Sequence, residues 1–184
     1  MTKIWRAYGI VKENTFYFHG GPLSSTWLGG LADAEERKEK DMFYSVIKTY
    51  LFKKAQYLRP DFAKGIMKTS NFQQLARANK KMTEQPNIEK LAEWNAKRKD
   101  ILVDSVRKFF SINPHFKNML METKDLRLVY VKAKKCEDKD FGIEQEFGFF
   151  SMYNEENWLP HGNLLGQALM TVRAEFLEKG AIVK

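Results

Sequence analysis

Two acidic residues stand in a short segment whose composition suits chemistry at a positively charged centre. The segment "EDKDFG" places Asp138 and Asp140 directly before an aromatic residue and Gly142. A loop carboxylate beside an aromatic ring can act as a general base or stabilise positive charge in a transition state. A solvated acidic side chain is the commoner role of such a residue. The segment is therefore a candidate catalytic loop, with both interpretations open.

The segment "FHGGPLSSTW" has the composition of an anion-binding turn. Gly20 and Gly21 let the backbone adopt positive φ, so that successive N–H groups can form a concave site for an anion. Ser24 adds a hydroxyl donor, and Trp27 could stack on a base. Gly-Gly-Pro is also a common turn signal. Taken alone, the segment favours an ordinary turn whose aromatic ends enter the core.

The segment "HGNLLGQALMTVR" combines a helix start with two small residues. Asn163 can cap the helix, and the free N–H groups of a first turn suit phosphate. Gly166 in that first turn costs about 1 kcal/mol relative to alanine. Either a ligand or a close packing contact must compensate for this cost, and the sequence favours neither.

Composition bounds the class of protein. The 184 residues suggest one domain, residues 1–184, with a charged surface insertion around residues 31–41. The net charge of +8 favours anionic partners, among them nucleic acid, although the basic residues are spread along the chain. The single cysteine, Cys136, excludes an intrachain disulfide. We expect a cytoplasmic protein without a membrane span, because no long apolar run is present.

Motifs for common cofactors are absent. No His or Cys spacing fits a zinc site, and neither a P-loop nor a dinucleotide-binding glycine fingerprint occurs. The sequence therefore predicts no metal and no cofactor.

Hydrophobic periodicity predicts the elements that must position these segments. Loose alternation over residues 4–10 and the short aromatic segment at residues 15–18 predict a hairpin, and "LRLVYV" predicts a strand over residues 126–131. Helical spacing predicts helices over residues 44–58, 62–68, 88–110 and 163–178. Another helix is predicted in "TSNFQQLARA", with Thr69 or Ser70 as the cap, and a short one after Pro114. Residues 80–90 are predicted to form a loop. The fold class is thus α+β, a mainly helical single domain around a small β-sheet.

In their order, these segments resemble the NADAR family, whose known members are similar to riboflavin-biosynthesis-intermediate N-glycosidases or are linked to ADP-ribose chemistry. The resemblance covers about residues 16–176. It starts with "FHGGPLSSTW", continues through "SVIKTYLFKKA" and "TSNFQQLAR", and includes Trp94 and the "DKDFG" segment. The family's closing motif N-x-L-G-x-x-L-M-x-x-R is the most specific of the set. It is matched by Asn163, Leu165, Gly166, Leu169, Met170 and Arg173.

The resemblance implies roles for particular residues. Asp138 would be the essential carboxylate, with Asp140, Glu144 or Asp41 as possible replacements. The residues implied in ligand binding are Gly20, Gly21, Ser24, Trp27, Lys54, Arg77, Trp94, Gly142, Asn163 and Gly166. Among them Lys54, Arg77 and the helix start at Asn163 would hold phosphate, and Trp94 or Trp27 would stack on a base.

The chain also departs from the family pattern. The family's helix glutamate falls on Ile47, and the glutamate after its strand falls on Tyr130. From the resemblance we expect an N-glycosidase-type hydrolase that acts on an N-linked ribose phosphate or an ADP-ribose-type nucleotide. The alternative is a catalytically degenerate protein that only binds such nucleotides, as a sponge or sensor. A basic protein associated with nucleic acid is the third hypothesis.

Overall fold

The protein combines six helices and a four-stranded sheet within the residues described by the structure. This structure is a computed structural model, and it describes residues 8–24, 45–69, 71–132, 141–144 and 162–181. In chain order the elements are β1 (Gly9–Lys12), β2 (Thr15–Phe18), α1 (Val46–Leu58), α2 (Pro60–Lys68), α3 (Phe72–Glu84), α4 (Ile88–Ile112), α5 (Pro114–Glu122), β3 (Arg127–Lys132), β4 (Ile143–Glu144) and α6 (Leu164–Ala181). The predicted α+β class, mainly helical around a small sheet, is confirmed.

The contacts divide the chain into two compact units. The sheet unit comprises residues 1–24, 110–134 and 139–184, and the helical unit comprises residues 25–109 and 135–138. The boundary falls within α4, between Phe109 and Phe110. The prediction of one domain over residues 1–184 stays a prediction, and the charged insertion around residues 31–41 lies outside the described residues.

In the sheet unit, the strands follow one another in the order β1-β2-β3-β4. A hairpin is present, because β1 pairs antiparallel with β2 across the turn at Glu13 and Asn14. Its first strand covers Gly9–Lys12 and so continues past residue 10, where the prediction ended it, and residues 4–7 of the predicted strand lie outside the described residues. β3 then pairs parallel with both β2 and β4. Alternate residues of β2 and β3 point to opposite faces, and both sets are buried: Phe16, Phe18, Leu128 and Tyr130 on one face, Tyr17, Val129 and Val131 on the other. Cover on both faces explains why "LRLVYV" is almost continuously apolar.

In the helical unit, proline and polar caps set the helix boundaries. Ser45 caps α1 by accepting a hydrogen bond from the Lys48 N–H at 3.5 Å. Pro60 ends α1 and stands at the first position of α2, where its missing N–H costs nothing. The side chain of Asn71 caps α3 by accepting hydrogen bonds from the Gln73 and Gln74 N–H groups at 2.8 and 3.4 Å.

Two sequence predictions in this unit were wrong. Thr69 does not cap α3. Instead it is the residue at which α2 ends, and Asn71 is the cap. Residues 80–90 are not all loop, because α3 continues through Glu84 and α4 starts at Ile88. The reason is the apolar stripe of α3, in which Met82 lies two turns after Leu75 and both side chains are fully buried.

Candidate functional site

The glycine-rich segment after β2 forms a turn, and a side chain of the protein itself occupies the space beside it. Gly21 has a φ of 71°, and its carbonyl accepts a hydrogen bond from the Ser24 N–H at 2.9 Å. A Cβ atom on Gly21 would lie 2.5 Å from the Tyr8 ring, so an aromatic side chain covers the backbone there. Phe18 before the turn and Leu23 within it are buried. These contacts agree with the turn interpretation of this segment. Trp27 lies outside the described residues.

Tyr130 of β3 is the point at which several segments of the sheet unit meet. Its ring is buried, and its centroid lies 5.3 Å from that of Phe18. Its hydroxyl lies 3.4 Å from the hydroxyl of Ser24, which is only 3% exposed. A Cβ atom on Gly142 would lie 2.4 Å from the Tyr130 carbonyl oxygen, so this close approach requires glycine. Three candidate residues, Ser24, Gly142 and Asn163, therefore converge on Tyr130.

Asn163 fastens the start of α6 to β3. Its side-chain Nδ2 donates a hydrogen bond to the Leu128 carbonyl at 2.9 Å, and its Oδ1 accepts one from the Tyr130 N–H at 2.9 Å. The amide group thus pairs with β3 as a strand would, just before β4 takes over the pairing at Val131. The prediction that this side chain caps α6 was wrong, because both polar atoms of the amide are used on the strand. The φ of Asn163 is 71°, a conformation that asparagine tolerates better than most residues.

The rest of the closing motif continues this attachment. A Cβ atom on Gly166 would lie 2.2 Å from the Leu128 carbonyl oxygen, so only glycine lets α6 approach β3 this closely. The sulfur of Met170 accepts a hydrogen bond from the Leu128 N–H at 3.5 Å. The Arg173 guanidinium donates to the Thr123 hydroxyl at 2.7 Å and to the Leu126 carbonyl at 2.9 Å. Close packing therefore accounts for Gly166.

Arg173 remains a cation in this position. Burial lowers the pKa of its guanidinium, and the charge of Asp125 acts in the opposite direction. Because both of its hydrogen bonds go to neutral oxygens at the start of β3, the role of this side chain is to hold α6 against the strand.

In the helical unit, Lys54 has a buried ammonium group. Its Nζ donates to the Asn79 side-chain oxygen at 2.8 Å and to the Thr83 hydroxyl at 3.2 Å, which joins α1 to α3. Only 3% of Lys54 is exposed. These two hydrogen bonds fix the position of the ammonium group between the two helices.

Trp94 and Arg77 have different surroundings from Lys54. The Trp94 ring is buried among tyrosines, 5.2 Å from Tyr50 and 5.9 Å from Tyr57 between ring centroids. Arg77 is exposed and lines a groove between α2 and α3, which Lys54 does not line. That both Lys54 and Arg77 hold phosphate stays a prediction.

Comparison with known families decides the membership of the chain. The model of the NADAR domain matches residues 16–177, which is most of the chain. The chain belongs to the NADAR family. No curated protein matched the sequence. The NADAR family is associated with N-glycosidase-like activity.

The two positions at which the resemblance predicts a family glutamate, 47 and 130, are both in the core. Ile47 on α1 is 0% exposed and Tyr130 on β3 is 1% exposed. Neither side chain supplies a carboxylate. The candidate carboxylates Asp138, Asp140 and Asp41 lie outside the described residues. Only the backbone of Glu144 is described, in β4.

Two general properties complete the description of this NADAR domain. Nowhere in the described ranges do three or more His, Cys, Asp or Glu side chains come together as metal ligands would. Within the same residues, no helix has both the length and the apolar character needed to cross a bilayer.

The positive charge of the chain is concentrated in the helices α1 to α4. Residues 45–109 contain fifteen Lys and Arg residues against six Asp and Glu residues, a net charge of +9. The whole chain has a net charge of +8, so the remaining residues sum to about −1. The prediction that the basic residues are spread along the chain was therefore wrong, and a count by segment shows the contrast.

Proposed function

We propose that this protein is an N-glycosidase-type hydrolase that acts on an N-linked ribose phosphate or an ADP-ribose-type nucleotide. The match of the NADAR domain over residues 16–177 carries this proposal, because the family is associated with N-glycosidase-like activity. The predominance of cations in residues 45–109 supports an anionic substrate.

In the proposed reaction, the bond between the anomeric carbon and the base nitrogen breaks, and its electron pair leaves with the nitrogen. The sugar passes through an oxocarbenium-like transition state that a nearby carboxylate stabilises. Water adds to the anomeric carbon, and the carboxylate takes one proton from that water. The carboxylate then passes this proton to a base that leaves as an anion, or releases it to solvent when the base leaves neutral, as nicotinamide does from NAD. Either way the carboxylate is regenerated. We assign the carboxylate role to Asp138, which follows from the match of "DKDFG" to the family pattern.

We assign the phosphate to Lys54. Its ammonium group is held by Asn79 and Thr83, so its position is fixed before a ligand binds. A cation that is already positioned and partly desolvated interacts with phosphate more strongly than a mobile surface lysine does.

The activity is tested by hydrolysis of a panel of substrates: NAD, ADP-ribosylated compounds and ribosylamino-pyrimidine phosphates, with the released base measured by chromatography. We expect turnover of at least one compound and a loss of about 10²- to 10⁴-fold in kcat for Asp138→Asn. Asp100→Asn is the matched control, since this exposed residue on α4 loses the same charge and should keep the full rate. The proposal is wrong if wild type and Asp138→Asn are equally inert or equally active across the panel.

A second function, nucleotide binding without catalysis, is favoured by one observation. The positions of both family glutamates are filled by the buried side chains of Ile47 and Tyr130. A thermal-shift titration with ADP-ribose separates the two functions, because a bound ligand raises Tm whether or not it is turned over. Stabilisation without turnover supports the binding protein, and the absence of any shift with nucleotides rejects it.

Association with nucleic acid is supported by the net charge of +9 in residues 45–109. Such binding should weaken steeply with salt, because bound cations are released from the phosphates. Binding to an oligonucleotide that changes little between low and high salt would contradict this partner.

A further inference from the structure

The groove between α2 and α3 has the features of a ligand site, and Lys54, to which the substrate phosphate is assigned, does not line it. Its volume is about 500 Å³, which lies within the range of small-molecule sites. Phe62, Gly65 and Ile66 of α2 line one side, and Arg77 and Ala78 of α3 line the other. The groove thus has an apolar floor with a cationic side chain at its edge.

The cations of this groove are not neutralised by its acids. Arg77 and Lys81 lie one helical turn apart on α3, and both are exposed. In the part of the chain that the structure describes, neither of them has a carboxylate partner. The groove therefore has two cations available for an anionic ligand.

Both acidic side chains that line the groove are paired with a cation. The partner of Asp61 lies just before α2, and the partner of Glu84 lies on α3 itself. Asp61 accepts two hydrogen bonds from the Arg59 guanidinium, at 3.0 and 2.7 Å, and this bonding lowers the pKa of Asp61. Glu84 lies 3.6 Å from the Lys80 ammonium. Because both acids have cations of their own, they leave Arg77 and Lys81 uncompensated.

Gly65 of α2 lines the groove and stands beside open space. Glycine inside a helix costs about 1 kcal/mol relative to alanine. A Cβ atom on Gly65 would meet no heavy atom within 4 Å, so packing inside the described chain does not require this glycine. The missing side chain leaves the middle of the groove open.

We propose that the α2–α3 groove binds a small organic anion with a flat or apolar body. The body lies on the floor formed by Phe62, Gly65 and Ile66, and a phosphate or carboxylate group binds between Arg77 and Lys81. The Arg59 guanidinium lies 4.7 Å from the centre of the Phe62 ring and covers one of its faces, which fixes that part of the floor.

The test uses phenyl phosphate as the probe, followed by backbone-amide chemical shifts of the full chain. We expect saturable shifts in residues 61–69 and 74–84 with a Kd of about 1 mM or tighter. Inorganic phosphate and phenol should each bind at least about tenfold more weakly, because each supplies only half of the interaction. If inorganic phosphate binds as tightly as phenyl phosphate, the groove attracts an adventitious ion only and the proposal is wrong.

A matched pair of double variants isolates the two cations. Arg77→Gln with Lys81→Gln should weaken binding by about tenfold or more, since charge-assisted hydrogen bonds are lost. Lys64→Gln with Lys68→Gln removes the same charge at the same spacing from α2, at residues that do not line the groove, and should leave the Kd within about twofold. Equal losses in the two variants would show bulk charge attraction and overturn the site.

Two variants at Gly65 test the open space. Gly65→Leu should abolish the shifts, because its side chain fills the groove. Gly65→Ala should raise Tm by about 2–4 °C, because alanine is the better helix former and has room. Phenyl phosphate that binds Gly65→Leu as tightly as wild type would place the ligand elsewhere and reject the proposal.

Discussion

The junction of α6 with β3 and the groove between α2 and α3 each contain a glycine inside a helix, and their surroundings are opposite. A Cβ atom on Gly166 would lie 2.2 Å from the Leu128 carbonyl oxygen, whereas one on Gly65 would meet nothing within 4 Å. At the junction, the close packing of α6 compensates for the cost of glycine. At the groove, no contact within the described chain does. A glycine in a suggestive motif thus indicates a ligand only where the chain itself leaves its space open.

Among the variants that test this comparison, those at Asn163 should change the free energy of unfolding most. Asn163→Ala leaves the buried Tyr130 N–H and Leu128 carbonyl without partners and puts alanine at a φ of 71°. We expect a loss of about 4 kcal/mol in the free energy of unfolding, measured by urea denaturation. Asn163→Gly keeps the backbone conformation at no steric cost, so its loss of unfolding free energy should be about 1 kcal/mol smaller than that of Asn163→Ala. Variants as stable as wild type would show that the junction does not depend on this side chain.

Gly166→Ala is the next largest test. The added methyl group would overlap the Leu128 carbonyl and the Asn163 side chain, so α6 must shift away from β3. We expect a loss of about 3 kcal/mol by the same denaturation measurement. A stabilised Gly166→Ala protein would remove the difference between the two glycines.

Arg173→Met tests a second contact of the junction and should destabilise the protein less than Gly166→Ala does. The variant loses the charge-assisted hydrogen bonds to Thr123 and Leu126 and should cost about 2 kcal/mol of unfolding free energy. Arg173→Lys keeps the charge and one donor group, so it should recover part of the loss. If Met and Lys variants are equally destabilised, the planar guanidinium rather than the charge is what the position requires.

Gly65→Ala has the smallest expected effect and the opposite sign. The free energy of unfolding should rise by up to about 1 kcal/mol, since the new methyl group meets no neighbour. The measurement needs only wild type, Gly65→Ala and Gly166→Ala in the same buffer. Destabilisation at both positions would mean that the space beside Gly65 is filled in the protein.

Local patterns predicted much of the fold. Pro114, the periodicity of α4 and the aromatic composition of β2 were sufficient to locate a helix start, a long helix and a strand. The continuation of α3 to Glu84 could also have been found, because Leu75, Asn79 and Met82 repeat at helical spacing and all three are buried. The prediction failed there because the polar composition of residues 80–90 was given more weight than this spacing.

The candidate site was less predictable, because its contacts join residues far apart in the sequence. The amide of Asn163 pairs with backbone groups 33 and 35 residues away. A motif shows that this asparagine precedes a helix, and capping is then the simplest local role. Which distant strand needs a hydrogen-bond partner is set by the parallel pairing of β2 with β3, and no local pattern encodes that pairing.

The placement of Asn163 also has a consequence for solubility. At Leu128 and Tyr130, none of the strands in the described residues pairs with the side of β3 away from β2, since β4 starts to pair only at Val131. An unprotected strand edge with the sequence "LVYV" is a template for pairing with another molecule. α6 shields this edge, so a chain in which the last helix detaches should aggregate even though most of its helices remain intact.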